Sequence, residues 1–95
     1  MIEVLTFRLA EGADEADFLE ADRAVQTEFA YQQPGLLRRT TARGEDSNWL
    51  VIDIWRSAED ADSCDRIWGQ DRWTSRFMSF LDPGSVRTAR YETLG

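Results

Sequence analysis

The chain has 95 residues, 42% hydrophobic and 31% charged, with a formal charge of −7 from 18 acids and 11 bases. That length and composition fit one globular domain, residues 1–95, with a modest core, and exclude a disordered chain. An acidic surface repels phosphate backbones, which argues against a nucleic-acid binder, and the absence of any His or Lys removes His triads, His metal or haem ligation and Schiff-base chemistry.

Taken in order, residues 2–10 read as a first strand, with Leu5, Phe7 and Leu9 on one face and Val4, Thr6 and Arg8 on the other. Asp14 can cap a helix whose stripe is Phe18, Ala21, Val25 and Phe29, spaced by three or four. Gln33-Pro34-Gly35 stops that helix near Gln32. Leu36 to Arg43 is a weaker, Arg-rich strand that suits a sheet edge, and Gly44 to Ser47 is a hairpin loop.

The central stretch is Trp49 to Trp55, aromatic, β-branched or Leu except at Asp53. It is too short for a stand-alone helix and rich in strand formers. Leu50, Ile52 and Ile54 point one way and Trp49, Val51 and Trp55 the other, so both faces need cover. Ser57 caps a second helix, with Asp60 three residues on in a capping-box pattern and a stripe of Ala61, Cys64 and Trp68. A further helical piece over about 71–81 carries Trp73, Phe77 and Phe80, Asp82-Pro83-Gly84 is a turn, and residues 86–93 form the last strand.

Strand, helix, strand, strand, helix, strand predicts an α+β, ferredoxin-like βαββαβ domain: a four-stranded antiparallel sheet with its helices on one face. The other face, expected to hold Val4, Trp49, Val51 and Trp55, would be an apolar patch in water. A twofold homodimer packed sheet against sheet, a dimeric α/β barrel, would cover it.

In this order the chain resembles the dimeric α/β-barrel superfamily, most closely its antibiotic-biosynthesis-monooxygenase-like branch. The residues that carry the likeness are Gln33 to Leu37, Val51 to Glu59 and the aromatic stretch from Trp73 to Phe80. The resemblance implies an aromatic-lined pocket between sheet and helices, a homodimer, and cofactor-free oxygenation of an aromatic or polyketide-like compound. A deprotonated phenol can itself reduce oxygen, and that scheme requires neither His nor Lys. The haem-degrading members resemble the chain less, because their usual ligand His is missing. A pocket that binds without turnover, or a structural dimer whose pocket is filled by its own side chains, fits the same residues.

Trp68 and Trp73 fall near the family's pocket Trp, with Phe77 beside them; each reads as a pocket wall or as core packing. Tyr31 and Tyr91 could offer phenol hydroxyls to a ligand, and Asn48 could donate to one or serve only the turn. Asp53, a carboxylate inside an apolar strand, must find a partner or change its pKa. It reads as a general base or as a salt-bridge partner of Arg8 or Arg39, and those arginines read as anion holders or as that partner. Cys64 reads as an inert buried thiol, and the acids Glu59, Asp60, Asp62 and Asp65 as a solvated helix face. No metal site and no cofactor are expected. No apolar run approaches the length of a membrane span, the start lacks the pattern of a signal peptide, and one Cys allows no internal disulfide, so a cytoplasmic location is the expectation.

Overall fold

A computed structural model describes residues 1–95. Its strands are β1 (Ile2–Phe7), β2 (Leu36–Arg43), β3 (Trp49–Trp55) and β4 (Arg87–Tyr91), and its helices α1 (Glu15–Glu28), α2 (Ala58–Ile67) and α3 (Arg72–Ser79). The strands form one antiparallel sheet in the order β2-β3-β1-β4, the ferredoxin-like arrangement. β1 is shorter than its sequence pattern suggests, and Leu9 makes only an isolated bridge to Leu81. α1 ends at Glu28, and residues 30–32 continue as a single turn of 3₁₀ helix.

Local chemistry places these boundaries. Asp14 accepts from the backbone N–H of Ala16 at 2.8 Å, and Asp71 caps α3 through Trp73 and Thr74. Ser57 accepts from Asp60 N–H at 3.2 Å, but the Asp60 carboxylate takes the Ser57 hydroxyl and the Arg56 guanidinium, so only half of the capping box is built. Gly35, at φ +83°, ends the α1–β2 connection against Asp60.

The packed side of the sheet is the reverse of the expectation for β3. Trp49, Val51 and Trp55 are buried under the helices, whereas Leu50, Ile52 and Ile54 lie on the uncovered face. The register pairs Ile52 with Val4 and Ile54 with Ile2, so these four share the open side. Bulk decides the matter: the helices need the two indoles to fill the volume above the sheet, and the slimmer aliphatics remain for the other face.

Two clusters make up the core. Phe7, Phe18, Val25, Trp49, Val51, Phe77 and Leu81 form the larger one, in which Phe18 and Trp49 meet edge to face at 5.0 Å. Phe29, Trp55, Ala61 and Cys64 form the other, and Trp68 and Trp73 pack against both.

Candidate functional site

Between the two clusters lies a cavity of about 230 Å³, lined mainly by apolar side chains. Phe29, Ala30 and Leu36 close it at the α1–β2 connection, and Cys64, Trp68 and Phe77 wall it from the helices. Its floor is the helix-facing side of the sheet, where Leu5, Val51, Trp55 and Thr88 alternate with charged groups.

Those charged groups form one row across all four strands. The register sets Arg39 of β2 beside Asp53 of β3, Asp53 beside Glu3 of β1, and Glu3 beside Arg90 of β4. Three of the four, Arg39, Asp53 and Glu3, line the cavity.

Asp53 is the least satisfied member of the row. Arg39 Nε lies 4.0 Å from its Oδ1, too far for a hydrogen bond, and that oxygen is buried with no partner. Burial pushes the Asp53 carboxyl up to about 6; Arg39 opposes the shift, and Asp65 and Asp22 add to it. The group can therefore hold or release a proton near neutral pH, as a general base must. Trp55 Nε1 is also buried without a partner, and Trp55 lines the same cavity.

The remaining charges are better matched. Arg39 Nη2 donates to Asp22 Oδ1 at 2.7 Å and Nη1 to Gln26 Oε1 at 3.3 Å, both on α1. Arg90 donates to Glu3 at 2.9 Å, to Asp62 at 2.6 Å and to Asp65 at 2.8 Å, tying β4 to β1 and α2. Burial raises the Glu3 carboxyl, against the lowering effect of Arg90. The Cys64 thiol is pushed up to about 12 by burial and neighbouring acids, which leaves it a poor nucleophile. No group of three or more Cys, Asp or Glu side chains is placed to hold a metal ion.

Of the residues singled out in the sequence, the structure brings Arg39, Asp53, Cys64, Asp65, Trp68 and Phe77 around this cavity. The others lie elsewhere. Tyr91 is 56% exposed and, paired with Ile2, sits on the open face of the sheet. The Tyr31 hydroxyl clamps the backbone of Arg39, accepting from its N–H at 3.0 Å and donating to its carbonyl at 3.3 Å. Asn48 belongs to the hairpin loop, which it closes through its backbone to Gly44 and Glu45. Trp73 packs against the core beneath the Arg72 guanidinium, 4.2 Å from its ring, outside the cavity lining. Arg8 binds the Asp46 carbonyl, so Arg39 is the arginine beside Asp53.

Glu3 and Asp22 were missed. Glu3 alternates with Leu5 and Phe7, and Asp22 falls on the Phe18–Ala21–Val25 stripe. Each is an acid at an inward position, the same signal that marks Asp53. Asp62 and Asp65, expected only to be solvated, are the α2 partners of Arg90.

By sequence, no family model and no curated protein matches the chain. Solved structures do. SnoaB, a cofactor-independent oxygenase from Streptomyces nogalater, superposes with a TM-score of 0.79 at 16% identity, over 99% of this chain and 92% of its own. A candidate antibiotic biosynthesis monooxygenase from Nitrosomonas europaea gives 0.72 at 14% identity, over 99% and 98%. A protein described as an antibiotic biosynthesis monooxygenase gives 0.70 at 13% identity over 100% of both chains. At these identities the likeness is one of fold: the chain has the ferredoxin-like fold of the antibiotic-biosynthesis-monooxygenase-like proteins.

Proposed function

We propose that the protein binds a compact hydroxylated aromatic or polyketide-like compound in this cavity and oxygenates it without a cofactor, with Asp53 as the general base. The observation that carries the reading is the Asp53 carboxyl, pushed up to about 6 on the floor of an apolar cavity, with its buried Oδ1 left without a hydrogen bond. Asp53 takes the proton of a phenol or enol hydroxyl. Arg39, which lines the same cavity, stabilises the resulting anion. The anion gives one electron to dioxygen, and the radical pair combines to form a carbon–oxygen bond. The peroxide takes back the proton from Asp53 and then loses water as a carbonyl forms, so that phenol and O₂ become quinone and H₂O. The substrate supplies every electron, and the apolar walls keep water from the intermediates.

The volume of about 230 Å³ lies below the roughly 300–1,000 Å³ of ordinary small-molecule sites. A one- or two-ring substrate suits it better than a larger polycycle. The reading includes a homodimer through the open face, where Ile2, Val4, Leu50, Ile52 and Ile54 form an apolar patch on a chain of net charge −7.

Titration of the Trp fluorescence with hydroxylated one- and two-ring aromatics under nitrogen, followed by oxygen uptake, tests this. Saturable binding, uptake, and loss of uptake but not of binding in Asp53→Asn are expected. Binding without uptake in the native protein supports a non-catalytic ligand-binding dimer instead. No binding at all overturns both.

A further inference from the structure

We propose that Asp22 is a positioning residue: by holding the Arg39 guanidinium against α1, it keeps that cation from closing onto Asp53 and leaves the Asp53 carboxylate free for the ligand. The functional meaning of this device rests on the reading of Asp53 as a base; the geometry does not.

Arg39 stands next to Asp53 across β2 and β3, where a hydrogen-bonded ion pair would be the ordinary outcome. Its guanidinium is instead committed to the neighbouring helix. Nη2 donates to Asp22 Oδ1 at 2.7 Å and Nη1 to Gln26 Oε1 at 3.3 Å. Only Nε approaches Asp53, at 4.0 Å, beyond hydrogen-bond range. Asp22 is itself held, since Thr41 Oγ1 donates to the same Oδ1 at 2.9 Å. The Arg39 backbone is clamped by the Tyr31 hydroxyl, and its guanidinium carbon lies 5.7 Å from the centre of the Phe77 ring. With Asp22 and Arg39 both buried, each contact is protected from water.

A carboxylate paired directly with an arginine is a weak base, because the pair favours its charged form. An arginine at a remove, already sharing its charge with a second carboxylate, still steadies an anion in the cavity without consuming the base. Other charges facing Asp53 are Glu3 on β1, with Arg90 of β4 beyond it, and Asp65 on α2, where Cys64 remains a neutral thiol. From α3 the cavity receives the uncharged Phe77. No other cation lines the cavity, so what holds Arg39 determines how much positive charge Asp53 feels.

The test is a carbon-13 NMR titration of the Asp53 carboxyl, identified by its loss in Asp53→Asn, together with the Arg39 Nε–H resonance. In Asp22→Asn the Asp53 midpoint should fall by about one to three units. The Arg39 resonance should then begin to titrate with it, as a new Nε–H to Asp53 bond forms. An unchanged midpoint overturns the proposal. So does a midpoint that falls while the Arg39 resonance stays still, since that is only the loss of a nearby negative charge. Should Asp22→Asn fail to fold, Asp22→Ser takes its place, and the same two outcomes overturn the proposal. The titration needs neither substrate nor oxygen, so it can fail while the oxygenase reading stands, or succeed where no turnover is found.

Discussion

Glu3 and Asp53 stand directly opposite each other across β1 and β3, on the side of the sheet that faces the helices. In such a pair the Cβ atoms are about 4.5–5.5 Å apart, and two like charges there oppose folding. An arginine flanks each on its outer side, Arg90 beside Glu3 and Arg39 beside Asp53. Arg90 hydrogen-bonds its acid and Arg39 does not. The row is therefore balanced in charge but uneven in proton affinity, and its loose end lies in the cavity.

That imbalance has a thermodynamic signature. Asp53 ionises near 3.8 when exposed and near 6 in the folded chain. The folded state holds the proton more tightly, so the Asp53 contribution to stability is greatest below about pH 4, falls as pH rises through 6, and levels off above. A shift of about two units corresponds to about 3 kcal/mol. Asp53→Asn should flatten this slope and stabilise the protein at pH 7 by about 2–3 kcal/mol. Urea unfolding at pH 4 and pH 7 measures it; a variant less stable than the native chain at pH 7 would make Asp53 an ordinary salt-bridge partner of Arg39.

Arg90→Gln should act in the opposite sense. It strips Glu3, buried beside Asp53, of its cation and releases Asp62 and Asp65 of α2. A loss of about 1–3 kcal/mol is expected at pH 7. At pH 4 the loss should shrink, because Glu3, whose carboxyl is already raised by burial, then folds in its neutral form. Denaturant melts at the two pH values distinguish this from a loss independent of pH.

Gly35 tests a close approach. Its φ is +83°, and a Cβ there would sit 2.1 Å from Asp60 Oδ2. Gly12 has φ +82° with nothing within 4 Å of the same added carbon. Gly12→Ala should cost only the left-handed strain, about 1–2 kcal/mol. Gly35→Ala should cost clearly more, since Asp60 must also give up its place at the Ser57 cap. Equal losses in thermal unfolding would show that Asp60 moves aside freely.

For the open sheet face the expected outcome is a change of mass in solution. Ile52→Glu places a carboxylate in the middle of the apolar patch while leaving the helix side untouched. By light scattering, the native chain should show twice the chain mass and the variant the single-chain mass. A native chain that is monomeric at micromolar concentration removes the homodimer.

Much of the architecture was legible because it is written locally. The caps at Asp14 and Ser57, the stop at Pro34-Gly35 and the turn at Asp82-Pro83-Gly84 each act within a few residues. Asp53 was legible as an anomaly for the same reason, a charge inside an apolar strand. The direction of β3 was not. Its two faces are both apolar, so alternation identified which residues travel together but not which set meets the helices.

The sequence by itself determined the number and order of the elements, the four-stranded fold they imply, and the absence of His and Lys chemistry. Those follow from spacing, capping and composition. Only the tertiary structure decided that Trp49 and Trp55 are core, that Arg39 answers to Asp22 before Asp53, and that Glu3 completes a row reaching Arg90. Each of these depends on residues that meet across strands or between sheet and helix, and their partnerships are set by packing volume and by the competition of several acids for a few arginines.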